Sequence, residues 1–306
     1  MTSNRFVRIG GTIVGGVVLV AGSLAGGVYV ARIGNEASDQ VVSLPDDPGV
    51  VHVHGLGINP AEGVLYAATH TGLFRIDAQG VARRVGDRFQ DTMAFKVVGP
   101  DRFLASGHPD MRDAKLRVEG KPPLLGLIES VDRGSTWTER SLLGDADLHA
   151  IAARGDTIVA YDSSGGRVLG SIDGGRTWTP RSTIALRDLA VNPADANHVI
   201  AVTDDGELLE SRDGAREWGA LAASGPTAVT VLGWTSTRLW AGAEDGTLAG
   251  FEPSTATWET VRRFGGAVEA IGVDTDAIHV AVVDEGIYRA DGGGAGWRRI
   301  YTPPDY

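Results

Sequence analysis

The sequence predicts an all-β protein, a six-bladed β-propeller preceded by one N-terminal transmembrane helix. Three observations carry that expectation. Trp residues at 137, 178, 218, 258 and 297 recur at spacings of 41, 40, 40 and 39. Each interval holds several short apolar runs separated by Gly, Asp, Asn or Pro turns, which is the pattern of four strands per blade. Ahead of them lies one long stretch without charge.

That stretch, Ile9 to Ala31, is 23 residues and follows Arg5 and Arg8. As a helix it is long enough for a bilayer core of about 30 Å. A cleavable leader has a shorter apolar core and a small-x-small end, whereas Tyr29 lies two before Ala31. The expected organisation is therefore a cytoplasmic N-terminus over 1–8, an anchor or signal segment over 9–31, a linker over 32–50 and the propeller over 51–306. Two Arg before the span and one after it place the body outside the cell membrane, single-pass, or secreted if the segment is cleaved.

Residues 1–32 hold three Arg and no acid, so the rest of the 306-residue chain carries all 39 acids against 25 bases. Such a body repels phosphate backbones, which excludes nucleic acid as a partner. Without a single Cys there is no disulfide, thiolate metal site or Cys nucleophile.

Residues 187–218 show one unit in full. Apolar runs at Leu189–Val191, Val199–Val202 and Leu208–Leu209 are divided by Asn192-Pro193 and Asp204-Asp205-Gly206. The string SRDGAREW then closes the unit. Related strings are SVDRGSTW, SIDGGRTW and RADGGGAGW, while GFEPSTATW keeps only the Trp. Working backwards gives one blade from about Val51 and a longer one from Met93, enlarged by a charged loop over about 109–123. The count is six.

The closing strings resemble the Asp-box, or BNR repeat, Ser-x-Asp-x-Gly-x-Thr-Trp. The resemblance covers about residues 51–301. Ser130, Asp132, Gly134 and Trp137 match it, as do Ser171, Asp173, Gly175 and Trp178. Ser211, Asp213, Trp218, Asp291 and Trp297 belong to degraded copies. The resemblance implies a turn between the third and fourth strands of a blade, hence a structural role for these residues. Ser and Asp side chains can cap turn N–H groups there, and Gly supplies the backbone angles.

In such a ring the entrance of strand 1 and the turn between strands 2 and 3 share one face. Aligning apolar residues puts His54, Met93, His149, Arg187, Thr227 and Glu269 at the strand entrances. The turns bring His70, His108, Asp162, Asp204, Glu244 and Asp284 to the same mouth. Five of the seven His thus gather on blades one to three, counting His52, which shares a strand side with His54. Imidazole is the commonest ligand for zinc and copper, and a thioether favours copper. His54, His70, His108 and His149, with His52 and Met93, are the candidate metal ligands, with copper or zinc as cofactor. The remaining pair, His198 and His279, begin second strands at the opposite face.

Asp-box propellers include sialidases, exported glycosylhydrolase-like proteins, sortilin-type receptors and the photosystem II assembly propellers. The resemblance implies either hydrolysis or recognition. Sialidases need three Arg, a Tyr with a Glu, and an Asp. Only Arg187 aligns at the inner ring, and the Phe74-Arg75-Ile76-Asp77 string falls on a third strand. Two carboxylates suffice for general glycoside hydrolysis, and Asp162, Glu269 and Asp284 are the candidates for it. The expected function is a membrane-anchored, extracytoplasmic binding module for a protein, peptide or glycan on the His-rich face. Glycoside hydrolysis is the alternative.

Overall fold

In the computed structural model the described residues are 48–223, 225–274 and 277–304, with the backbone alone at 17–20 and 29–32. Val17–Val20 and Tyr29–Arg32 form a two-stranded antiparallel pair. This differs from the membrane helix expected over 9–31, the rest of which lies outside the described residues. Val and Tyr favour extended chain over helix, which accounts for the difference at these two segments. Among the described residues no helix is long and apolar enough to cross a membrane.

The second compact unit runs from Pro48 to Tyr306, and Val50 is buried in its core. It contains six four-stranded antiparallel sheets, each a simple up-and-down meander. Blade one comprises Val53–Asn59, Val64–Thr69, Gly72–Ile76 and Ala82–Arg84. Blade six ends the series with Val268–Val273, Ala277–Val282, Gly286–Asp291 and Arg298–Tyr301. The last of these strands pairs with Gly286–Asp291, so blade six is completed by its own chain.

The middles of the second strands are apolar and buried because both faces are covered by neighbouring sheets. Ala277–Val282, for example, is buried at every position. The core consequently divides into six clusters, each lying between adjacent blades. One joins blades one and two through Tyr66, Phe95, Phe103 and Trp137. Another joins blades six and one through Leu56, Phe74, Ala270 and Ile287, which closes the ring.

The Trp-containing strings fall between third and fourth strands, where sequence placed them. Ser130 Oγ donates to Asp132 (2.8 Å) and accepts from the Gly134 N–H (2.8 Å), while Asp132 accepts the Thr136 N–H (2.8 Å). Ser171 and Asp173 repeat this with Gly175 and Thr177, and Ser211 and Asp213 with Ala215 and Glu217. Trp178 and Trp218 donate across the seam to Ser141 and Ser182 of the preceding blade, at 2.9 and 3.0 Å. Asp291 points outward to Arg289 instead, and Trp297 packs edge-on against Phe264.

Candidate functional site

Every first strand carries a β-bulge near its start. The register of each skips one residue: His54, Met93, His149, Arg187, Thr230 and Glu269 in blades one to six. A bulge leaves one residue unpaired and re-aims its side chain. Five of the six positions agree with the sequence alignment. Thr230, not Thr227, holds the place in blade five, because that blade's first strand begins only at Val229. Thr230 Oγ1 donates to the Val268 and Gly242 carbonyls.

The histidines converge. His54 Nε2 lies 3.3 Å from His70 Nε2, and the rings meet edge-on with centroids 4.3 Å apart. His52 precedes the strand with a left-handed φ of 50°, yet it stacks on His54 at 6.2 Å and reaches His70 at 5.3 Å. The Thr69–Gly72 turn fixes His70. Thr69 Oγ1 donates to the Gly72 carbonyl (2.9 Å) and accepts the Thr71 N–H (3.0 Å), while Thr71 Oγ1 donates to the Gly49 carbonyl (2.8 Å).

Two aspartates bind this group together. Asp91 meets His70 Nδ1 at 2.7 Å through Oδ1 and His108 Nδ1 at 3.2 Å through Oδ2. Asp147 meets His149 Nε2 at 2.9 Å and His108 Nε2 at 3.7 Å. The result is a rim running His54, His70, Asp91, His108, Asp147, His149. His54, His70 and Asp91 offer ligand atoms all within 4.8 Å of one another. His108 can approach because Gly107 has φ 131° and a Cβ there would collide with the Asp91 carbonyl oxygen. Met93 follows Asp91 by two residues at its bulge.

Neither aspartate was singled out from the sequence, although the signal was present. HVH, DTM and DLH end at equivalent bulge residues in three blades, and the two-residue rule that joined His52 to His54 joins Asp91 to Met93 and Asp147 to His149.

Charge is graded along the rim. Burial, then repulsion from His70, lowers the His54 pKa to about 4. Hydrogen bonds to Asp91 raise His70 and His108 above the ordinary imidazole value. Burial alone would raise Asp91, but the His108 and His70 bonds outweigh it and hold the carboxylate low. Asp147 is likewise low, with His149 and His108 overcoming its burial.

The acidic half of the mouth behaves differently. Asp162 is fully buried, accepts the Asp147 N–H (3.1 Å) and the Ser164 hydroxyl (2.7 Å), and pairs with Arg167 at 2.9 Å. It builds a turn. Glu244 is paired with Arg187 at 2.9 Å, and Arg187 also donates to the Asp204 carbonyl. Glu269 is pushed to about 7 by burial and by Asp284, and stands 3.8 Å from His52. Asp284 turns the chain with φ 60°. Beneath the rim, His54, Lys96, His149 and Asp188 line the narrow central channel. Asp188 accepts the Leu232 and Leu189 N–H groups at 2.7 and 2.8 Å.

Arg75 and His198 find their places away from the mouth. Arg75 of the Phe74–Asp77 string pairs with Glu62 at 3.4 Å on the flank of blade one. His198 is bonded to Glu210 at 2.8 Å.

No family model matches the chain, and no curated protein matches it by sequence. Solved structures do. A GH74 xyloglucanase from Xanthomonas campestris is 17% identical with TM-score 0.52, over 82% of this chain and 45% of its own. A GH74 enzyme from Niastella koreensis is 15% identical with TM-score 0.55, over 82% and 45%. A chain of a nidogen/laminin complex is 13% identical with TM-score 0.59, over 78% and 93%. This chain thus spans under half the length of either GH74 enzyme. At these identities the likeness shows the fold alone: the chain is an all-β, six-bladed propeller whose upper rim gathers five histidines around two aspartates.

Proposed function

We propose that the chain is an Asp-box propeller whose upper rim is a recognition surface for a protein, peptide or glycan, with copper or zinc held between His54 and His70. Residues 9–31 tether it to the cell membrane in this reading, with the body extracytoplasmic. The observation that carries the proposal is the facing pair of Nε2 atoms 3.3 Å apart. Two metal–nitrogen bonds of about 2.05 Å opened to a tetrahedral angle span about 3.3 Å. His70 also presents its other nitrogen to Asp91, the carboxylate support that metal-bound imidazoles use. The His52 ring stands nearby, its centroid 5.3 Å from that of His70. Likeness to a chain of a nidogen/laminin complex supports recognition of protein.

The test is calorimetric titration of the full-length chain with zinc and with copper(II). The double variant His54→Ala, His70→Ala is expected to lose the site, while His198→Ala keeps it. Equal binding by wild type and double variant disposes of the metal.

Glycoside hydrolysis is the second reading, favoured by Glu269 at the mouth, which burial raises to about 7. It predicts turnover of chromogenic glycosides, a sialoside or xyloglucan that is lost in Glu269→Gln or Asp284→Asn. No turnover across that panel leaves recognition.

A further inference from the structure

A second site lies on the flank of blade one. A groove of about 210 Å³ is lined by Tyr66, Arg75, Arg83, Arg84, Val85, Arg133 and Ser135. Its lining holds four guanidinium groups and no carboxylate, on a body whose acids outnumber its bases. Two acids stand at its edge: Asp77 by Arg83 at 2.8 Å, and Glu62, which accepts the Tyr66 hydroxyl at 2.6 Å and faces Arg75 at 3.4 Å. Arg133 is held loosely, with Glu62 and Asp101 at 3.7 and 3.8 Å. Arg84 is fixed by the Thr71 carbonyl at 2.8 Å and by stacking on Phe89 at 4.0 Å.

Arg133 also occupies a backbone position that is costly for it. It adopts φ 63°, and the same place in the two sister turns is taken by Gly174 at 69° and Gly214 at 76°. A side chain in the left-handed region is uncommon, and such strain concentrates where a residue serves a purpose beyond the turn. The sister turns carry their arginines two residues later, where Arg176 and Arg216 fold back onto the Asp173 and Asp213 carbonyls. The second-blade turn has Ser135 there, so its guanidinium faces the groove.

We propose that this groove binds the oxyanion of a phosphate or sulfate monoester, gripped by Arg83 and Arg133 with Arg75 between them. Guanidinium groups match such oxygens bidentately. The site is independent of the histidine rim.

The experiment titrates the full-length chain with inorganic phosphate, glucose 6-phosphate and glucose 6-sulfate, at ionic strength held constant with sodium chloride. Both esters are expected to bind. Arg133→Gly, which installs the residue used by the sister turns, is expected to fold with an undiminished melting temperature and to bind at least tenfold more weakly. Arg83→Gln serves as the second variant, with a similar loss. Zinc titration of the rim should be unchanged in both. Absence of binding by wild type at millimolar ester, or wild-type affinity in Arg133→Gly and Arg83→Gln, overturns the proposal.

Discussion

Replacing Asp91 by Asn tests the rim at its hinge. The substitution keeps size and one hydrogen-bonding oxygen but removes the charge that two imidazoles share. Asp91 lies 2.7 Å from His70 and 3.2 Å from His108, with its side chain 30% exposed. A hydrogen bond to a charged group contributes about 1.5–3 kcal/mol when buried. Partial exposure brings the shorter bond toward the lower end, and the longer bond acts on His108 rather than on the metal. The loss in metal binding is then about 1.4–2.7 kcal/mol, or 10- to 100-fold, the range seen when a carboxylate behind a ligating imidazole is removed. Zinc titration of the full-length chain at pH 7.5 measures it. An unchanged dissociation constant in Asp91→Asn, with binding still lost in His54→Ala, His70→Ala, would refute the idea that the carboxylate orients His70.

Three further outcomes follow from the geometry. Gly107→Ala forces a Cβ against the Asp91 carbonyl, and should lower both the urea midpoint and zinc affinity. Ser171→Ala strips the acceptor from the buried Gly175 N–H and should cost about 1–3 kcal/mol of unfolding free energy. Burial lowers the pKa of His279 from 6.5 to about 4, so the folded state holds the neutral ring. Stability from this group is complete above the unfolded value and is lost as pH falls through the folded one, amounting to about 2 kcal/mol between pH 7.5 and pH 5. Urea melts of wild type should show that acid loss and His279→Leu should lack most of it; parallel pH profiles would count against it.

What could be read in advance was whatever repeats. The Trp rhythm located third and fourth strands in blades two to six, and apolar alignment found five of six bulge residues. Blade five escaped because its entrance, Gly225 to Ala228, has no apolar anchor to align. Asp91 and Asp147 escaped for another reason. Acids at strand starts are ordinary turn chemistry, and only folding brings His108 between them. Asp162 failed in the opposite direction, since a carboxylate at a mouth position in sequence turned out to be enclosed by Arg167 and backbone donors. The Arg groove depends on one residue standing where its sister turns have glycine, a departure visible in sequence but meaningless without the backbone angle.

The seam between blades six and one has an implication for how the chain can be cut. Val50, near the beginning of the propeller, and Tyr301, near the propeller's end, are pegs in the same joint. The polypeptide is linear, yet its packing has no first or last member. Joining those two ends with a short bridge and opening the exposed Asp204-Asp205 step instead should yield a permuted chain with every wall intact, whereas trimming either peg should spring the circle at that one joint.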